Sequence, residues 1–216
     1  MTPLQVLDQR EGLVALDKPP GLLVIPGRDP SEPCARAMLE AQLGTKLWVC
    51  HRIDRDTSGI VIFATTAEAH RRASMAFENG QVKKTYLAIV EGVVATALEI
   101  DAPLIEGRKG KMRIAFAGED GKASKTLVRP LEALRGATLV EAEPLTGRQH
   151  QIRVHLKSRG HPLLFDHQYG RKEALVWGDV KLERTPLHAA KLELGGWVVQ
   201  SPLAADLERV RAALRA

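Results

Sequence analysis

The chain has 216 residues, 44% of them hydrophobic and 26% charged. It is too apolar to be disordered and, with two Cys, too poor in thiols for a disulfide scaffold. Lys and Arg number 31 against 26 Asp and Glu, a formal net charge of +5 that is unevenly spread: residues 1–100 carry eleven basic and twelve acidic side chains, residues 101–216 twenty and fourteen. A basic half suits a polyanionic partner, and nucleic acid is the commonest one in the cytosol. No apolar run is long enough to span a membrane, and no basic region precedes an apolar stretch at the N-terminus, so neither a membrane span nor a signal peptide is expected. Cys34 and Cys50 fit a reducing compartment, and without CxxC spacing they do not make a zinc site. A cytoplasmic protein forming one domain over residues 1–216 is expected.

In chain order, Gly12–Asp17 reads as a strand broken by Lys18-Pro19-Pro20-Gly21, and Leu22–Ile25 as its resumption before Pro26-Gly27. Residues 34–43 read as a helix stopped by Gly44. Ile60–Ala64 is a continuous apolar run with β-branched residues, the pattern of a buried strand. Thr65 with Glu68 predicts a capping-box start for a helix that Gly80 ends. Val82–Val90 is a strand. From 97 to about 145, short extended runs broken by glycines predict antiparallel hairpins. Arg148–Arg159 reads as a helix with Gly160 and Pro162 beyond it. Ser201 and Pro202 precede a last helix with Leu203, Leu207, Val210 and Leu214 on one face. The sum is an α+β chain with a mixed, mainly antiparallel sheet and flanking helices.

Four constellations carry polar chemistry. The first is His51-Arg52-Ile53-Asp54-Arg55-Asp56-Thr57-Ser58-Gly59, a polar loop leading straight into the apolar strand. Arg52 and Arg55 favour the carboxylate form of Asp54, which suits a nucleophile or general base. A plain turn with Asp–Arg pairs has the same spacing. The second is Thr146–His155. As a helix it would align Gln149, Arg153 and Lys157 on one face, with Arg153 able to reach a buried carboxylate or to lie on a solvated face. His150 and His155, five apart, do not have helical metal-ligand spacing, so no metal is expected. The third is Lys83-Lys84-Thr85-Tyr86, where Lys84 and Tyr86 share one strand face and Tyr86 could stack on a base or fill the core. The fourth is Gly107–Arg113, whose Arg108, Lys109 and Lys111 could contact phosphate or be solvated.

Together these motifs resemble the RluA family of RNA pseudouridine synthases. His51–Gly59 resembles the family's HRLDxxTSG signature and Asp17–Gly21 its NKPxG motif, with Asp17 in place of Asn. Lys84-Thr85-Tyr86 resembles KxY, Ala123–Thr126 the A-x-T strand, and Thr146–His155 TGRxHQIRxH. His161-Pro162 with Asp166–Gly170 resembles HPIxGDxxYG, and Leu187-His188-Ala189 the late LHA. Phe165 departs from the family's usual Gly before Asp166, a change expected to reshape a loop without touching a catalytic position. The resemblance spans nearly the whole chain, starting near residue 10. It implies a compact, catalytic-domain-only member without the S4-type RNA-binding domain of many relatives.

The resemblance implies the pseudouridine synthase fold and isomerisation of uridine in ribosomal or transfer RNA to pseudouridine, with no cofactor. The lack of a GxGxxG or P-loop motif agrees with that. It further implies that Asp54 is catalytic, that Arg153 pairs with it, and that Tyr86 stacks on the target base. Arg52 would enter the RNA helix as the uridine leaves its stack. Lys84, Lys125 and the hairpin residues Arg108, Lys109 and Lys111 would contact the RNA backbone. The alternatives are a non-catalytic RNA-binding or assembly protein on the same fold, and a base-excising hydrolase using paired carboxylates such as Asp54 and Asp56. A monomer is expected, since no long apolar stripe is left over.

Overall fold

The computed structural model describes residues 3–29 and 31–215, apart from the side chain of Lys109. Its elements are β1 (Gln5–Arg10), β2 (Leu13–Lys18), α1 (Ala35–Leu43), β3 (Trp48–Val49), β4 (Ser58–Ala64), α2 (Ala67–Glu78) and β5 (Lys83–Glu91). There follow β6 (Leu98–Asp101), β7 (Leu104–Glu106), β8 (Met112–Ile114), β9 (Lys125–Leu134), β10 (Ala137–Pro144) and α3 (Gln151–Ser158). The chain closes with β11 (Leu175–Trp177), β12 (Val180–Leu182), β13 (Leu187–Leu194), β14 (Trp197–Gln200) and α4 (Ala205–Arg215). This is the expected α+β class. The chain divides into two compact units, one from the residues up to Lys84 with His188–Pro202, the other from Thr85–Leu187 with the residues from Leu203 onward.

In the first unit β1, β2 and β4 pair antiparallel, β3 pairs with β4, and β13 lies parallel to β4 on its other side, with β14 antiparallel to β13. Every residue of β4 is buried, which is why it reads as an unbroken apolar run and not as an alternating one. Val14, Leu16, Val61 and Phe63 pack with Leu39 of α1 and Leu47 to form the core. In the second unit the order is β5-β10-β9-β6, all antiparallel, with the separate hairpins β7–β8 and β11–β12. One core of this unit joins Val90, Val128 and Val140 to Ile152 and Leu156 of α3. Another joins Ile89 and Leu139 to Leu207, Val210 and Leu214 of α4.

Three local expectations are corrected. Leu22–Ile25 is not a strand; Leu23 makes one isolated bridge to Cys34. The Leu23 and Val24 carbonyls instead accept the Ala35 and Arg36 N–H groups at 2.7 and 3.1 Å. They cap α1, whose N-cap Cys34 makes no side-chain capping bond. The cap of α2 is Thr66 and not Thr65: Thr66 Oγ1 accepts from Ala69 N, while Thr65 donates both N–H and hydroxyl to the Gly12 carbonyl. Finally, α3 begins at Gln151 and not Arg148, because His150 sits at φ 54° in the left-handed region. Gln149 therefore shares no helix face with Arg153.

Phe165 is 6% exposed and joins the core around Leu207 and Val210. The ring that replaces the family's glycine is taken up by the core, and the following Asp166 keeps a set of defined partners.

Candidate active site

The Asp54 loop is fixed from three sides. His51 Nε2 accepts the Ile62 N–H at 3.0 Å, and its ring stacks on Phe77 at 4.5 Å, which ties the start of the loop to β4 and α2. Lys18, completely buried at the end of β2, donates to the carbonyls of Pro19, Leu22 and Arg55 at 2.8–2.9 Å. An ammonium carries three N–H donors, so three carbonyls are what its burial requires. The Pro19–Leu22 turn wraps this cation, and the Arg55 carbonyl, one residue past Asp54, is held to it. After a turn in which Thr57 N–H donates to the Asp54 carbonyl, the chain enters β4 at Ser58. Ser58 Oγ lies 2.9 Å from His188 Nδ1, whose Nε2 faces the Ser201 carbonyl. With Nε2 donating to that carbonyl, Nδ1 is the acceptor for the serine hydroxyl.

Gly59 is demanded by close backbone approach. Its φ is +103°, and a Cβ placed there would lie 2.3 Å from the Ala189 carbonyl oxygen. The Thr57-Ser58-Gly59 and Leu187-His188-Ala189 motifs, 130 residues apart, are thus two sides of one parallel pairing. Asp54 is left half-buried at the mouth of this anchored loop, with Arg52 exposed beside it. Arg55 does not flank it as a bare charge: its guanidinium donates to the Gly21 carbonyl at 3.0 Å and to Glu32 at 2.6 Å.

Burial and the nearby Lys84 ammonium push the His51 pKa down to about 3. The unfolded chain then takes up the proton first. The stability tied to His51 is whole above about pH 6.5 and falls as the pH drops from there toward 3, by up to about 1.4 kcal/mol per unit. Urea unfolding at pH 7 and pH 5 is expected to show a steeper acid loss for wild type than for His51→Gln. Parallel losses in the two proteins would remove His51 as the cause.

In the second unit Arg153 does reach a buried carboxylate. Its Nε and Nη2 each donate to Asp166 at 2.8 Å, and Nη2 also donates to Gln168 Oε1 at 3.1 Å. Both partners of the ion pair are nearly inaccessible to water. Burial pushes the Asp166 carboxyl up, but the guanidinium and the N–H groups of Gln168 and Tyr169 outweigh it and hold the pKa below its usual value.

The rest of the Thr146–His155 motif positions α3. The Gln151 amide oxygen accepts the Thr146 hydroxyl and the Arg148 N–H, and its nitrogen donates to the Lys125 carbonyl and to Thr126 Oγ1. Burial keeps the His155 pKa below its usual value. The neutral ring donates from Nε2 to the Ala102 carbonyl and accepts the Thr126 hydroxyl at Nδ1. Among the described residues no group of three or more His, Cys, Asp or Glu side chains gathers as a metal site.

Residues 12–158 match the family model described as RNA pseudouridylate synthase. The chain belongs to the RNA pseudouridylate synthase family. The ribosomal large subunit pseudouridine synthase C of Vibrio parahaemolyticus is 34% identical over 219 residues, covering 97% of this chain and 69% of that protein. The ribosomal large subunit pseudouridine synthase D of Nitrosomonas europaea is 36% identical, covering 99% of this chain and 66% of that protein. The chain thus spans about two thirds of the length of these relatives. The solved structure of human RNA pseudouridylate synthase domain containing 4 superposes with a TM-score of 0.80 at 26% identity, covering 97% of this chain and 92% of that one. Fold and sequence are those of an RNA pseudouridine synthase, an isomerase.

The remaining residues singled out in this synthase lie as follows. Tyr86 is half-buried on β5, packed against the core of Val90, Ile152 and Leu156. Lys84 is half-buried on the same strand, and burial lowers its pKa. Lys125 pairs with Glu99 at 2.5 Å and lies 3.8 Å from Asp101. Arg108 and Lys111 are exposed on the β7–β8 hairpin, and the Lys109 side chain lies outside the described residues. No helix among the described residues is long and apolar enough to cross a membrane.

Lys18, His51, Gln151, Asp166 and His188 were not legible as anchors. A lone Lys ending an apolar strand before Pro-Pro is the one local sign of the first. Each of the others also bonds a group distant in sequence that only folding brings near.

Proposed function

We propose that this chain isomerises uridine to pseudouridine in structured ribosomal or transfer RNA, with residues 1–216 working as a single catalytic domain. The C1′–N1 bond breaks, the uracil turns, C5 joins C1′, the proton on C5 is released to solvent and N1 takes one up, so the composition is unchanged. The Asp54 carboxylate acts at the sugar as nucleophile or general base. Tyr86 stacks on the target base, and Arg153 supplies the cation that orients the carboxylate. Arg52 offsets the cost of extruding the uridine by filling its place, while Lys84, Lys125, Arg108, Lys109 and Lys111 meet backbone phosphates.

The observation that carries this reading is the build of the Asp54 loop. A half-buried carboxylate stands on a loop pinned by a buried Lys, a half-buried His and a fully buried strand. Such rigidity is what a reacting group needs and what a solvated turn lacks. The same reading takes the protein as a monomeric, cytoplasmic enzyme that needs no cofactor. Two relatives support either RNA class: the ribosomal synthase above and the tRNA pseudouridine synthase C of Salmonella typhimurium, 35% identical over 88% of this chain and 80% of that protein.

The test is tritium release from transcripts carrying 5-tritiated uridine, with ribosomal and transfer RNA assayed separately. Release from one pool or from both is expected and names the substrate class. Binding of RNA without release from either pool would favour the non-catalytic alternative. Neutralising Arg108, Lys109 and Lys111 together is expected to weaken RNA binding and lower the slope of log K against log salt by about two. An unchanged slope would make the hairpin a bystander.

A further inference from the structure

The loop 166–170 faces two ways. On one side it holds Arg153: Asp166 takes two hydrogen bonds from the guanidinium, Gln168 takes a third, and the Tyr169 ring lies under it, 4.9 Å from its carbon. On the other side it holds the basic hairpin. Tyr169 Oη accepts the N–H of Met112, the first residue of β8, at 2.9 Å, and lies 2.7 Å from His150 Nδ1. The Lys111 ammonium donates to the Gln168 carbonyl at 3.3 Å. Two consecutive residues, Gln168 and Tyr169, therefore each touch both Arg153 and the hairpin.

Tyr169 is 7% exposed and packs with Leu104 and Val154, with Met112 and Ile114 of β8 against them. Its hydroxyl is fully engaged. With the Met112 N–H as donor, the phenol O–H is free to donate to His150 Nδ1. His150 is the residue in the left-handed conformation that opens α3, and Arg153 follows it by three residues on that helix. The phenol thus reaches Arg153 by its ring and the start of Arg153's helix by its hydroxyl, and the same hydroxyl pins β8.

We infer that Tyr169 is a positioning residue that ties the seating of RNA on the β7–β8 hairpin to the placement of the Arg153 guanidinium. Resting on the isomerase reading above, this makes the hairpin more than an electrostatic handle. An RNA that engages Arg108 and Lys111 settles β8, and through Met112 and Tyr169 it settles Arg153. An RNA that binds without reaching the hairpin leaves Arg153 less well placed, and its turnover is slower even at saturation. The hairpin then contributes to substrate choice through rate as well as through affinity.

The test compares wild type, Tyr169→Phe, Lys111→Ala and the double variant, reading kcat at saturating RNA, KM and thermal midpoint. Phe keeps the ring over Arg153 and the packing, and removes only the hydroxyl. Tyr169→Phe is expected to lower kcat about tenfold while remaining folded at the assay temperature. Lys111→Ala, an exposed substitution that leaves folding intact, is expected to raise KM and also to lower kcat about threefold. In the Tyr169→Phe background the same change should raise KM with no further loss of kcat. A merely structural tyrosine would lower the thermal midpoint and leave kcat within twofold of wild type, and that result overturns the proposal. So does a Lys111→Ala effect confined to KM, or a kcat loss that is additive in the double variant. Wild type that releases no tritium from any RNA overturns the isomerase reading, whereas active wild type with unaltered Tyr169→Phe overturns the role of Tyr169 alone.

Discussion

Asp54→Asn is expected to abolish tritium release, lowering the single-turnover rate at least about 10³-fold, while RNA binding stays within about threefold of wild type. The rate loss corresponds to about 4 kcal/mol of transition-state stabilisation. The reason for expecting so clean a split is the loop. Its anchors are the His51 ring on β4, the Lys18 ammonium on the Arg55 carbonyl and the Ser58–His188 contact at the start of β4. Asn fills nearly the same volume, so the loop keeps its shape and only the carboxylate charge is lost. It can then neither attack the sugar nor take a proton. Single-turnover release with enzyme in excess reads the chemistry, and a gel-shift titration reads binding. An Asn variant that turns over at the wild-type rate would remove Asp54 from the chemistry. One that has lost both binding and thermal stability would assign it to the fold instead.

Gly59→Ala is expected to be strongly destabilising. The added Cβ would sit 2.3 Å from the Ala189 carbonyl oxygen and 2.7 Å from its nitrogen, and neither is the end of a flexible side chain. To make room, β4 and β13 must separate where Ser58 meets His188, at the very start of the strand that holds the Asp54 loop. Overpacking and a positive φ together predict a loss of roughly 3 kcal/mol or more. In a protein of this size that lowers the midpoint by about 10 °C. Gly136 is the matched control: its φ is +69°, with no atom within 4 Å of a Cβ placed there. Gly136→Ala should cost only the backbone strain, roughly 1 kcal/mol. Thermal melts of the two variants separate the terms, and equal losses would mean that the close approach at Gly59 does not matter. Activity should follow stability in Gly59→Ala, since the Asp54 loop hangs from the displaced strand.

The hydrophobic pattern made most of the secondary structure legible. The run 60–64 had to be a buried strand, and residues 34–43 and the spacing of Leu207, Val210 and Leu214 had to be helical, because local periodicity carries that information. Where the pattern misled, a contact from elsewhere in the chain had won. Leu22–Ile25 has strand composition, yet its carbonyls serve α1, whose Cys34 offers no oxygen for capping. Thr65 has the spacing of a cap, yet Gly12 takes its hydroxyl and leaves the cap to Thr66. Arg148–His150 looks helical, yet the turn is closed by the Gln151 side chain folding back on Arg148 and Thr146.

The candidate site divides in the same way. Sequence by itself determined which residue types stand in which order: Asp54 among polar neighbours ahead of an apolar strand, Tyr86 two residues from Lys84, and Arg153 beside an apolar helix face. That order suffices to identify an RNA pseudouridine synthase, because motif spacing is a property of the linear chain. Only the tertiary structure decided what holds them. Lys18 proved to be the buried anchor of the loop, Asp166 a carboxylate of Arg153, Gly59 a point of contact with Ala189, and Lys125 a partner of Glu99. A buried charge or a close backbone approach is satisfied by atoms distant in sequence, and local pattern contains no record of which distant atoms those will be.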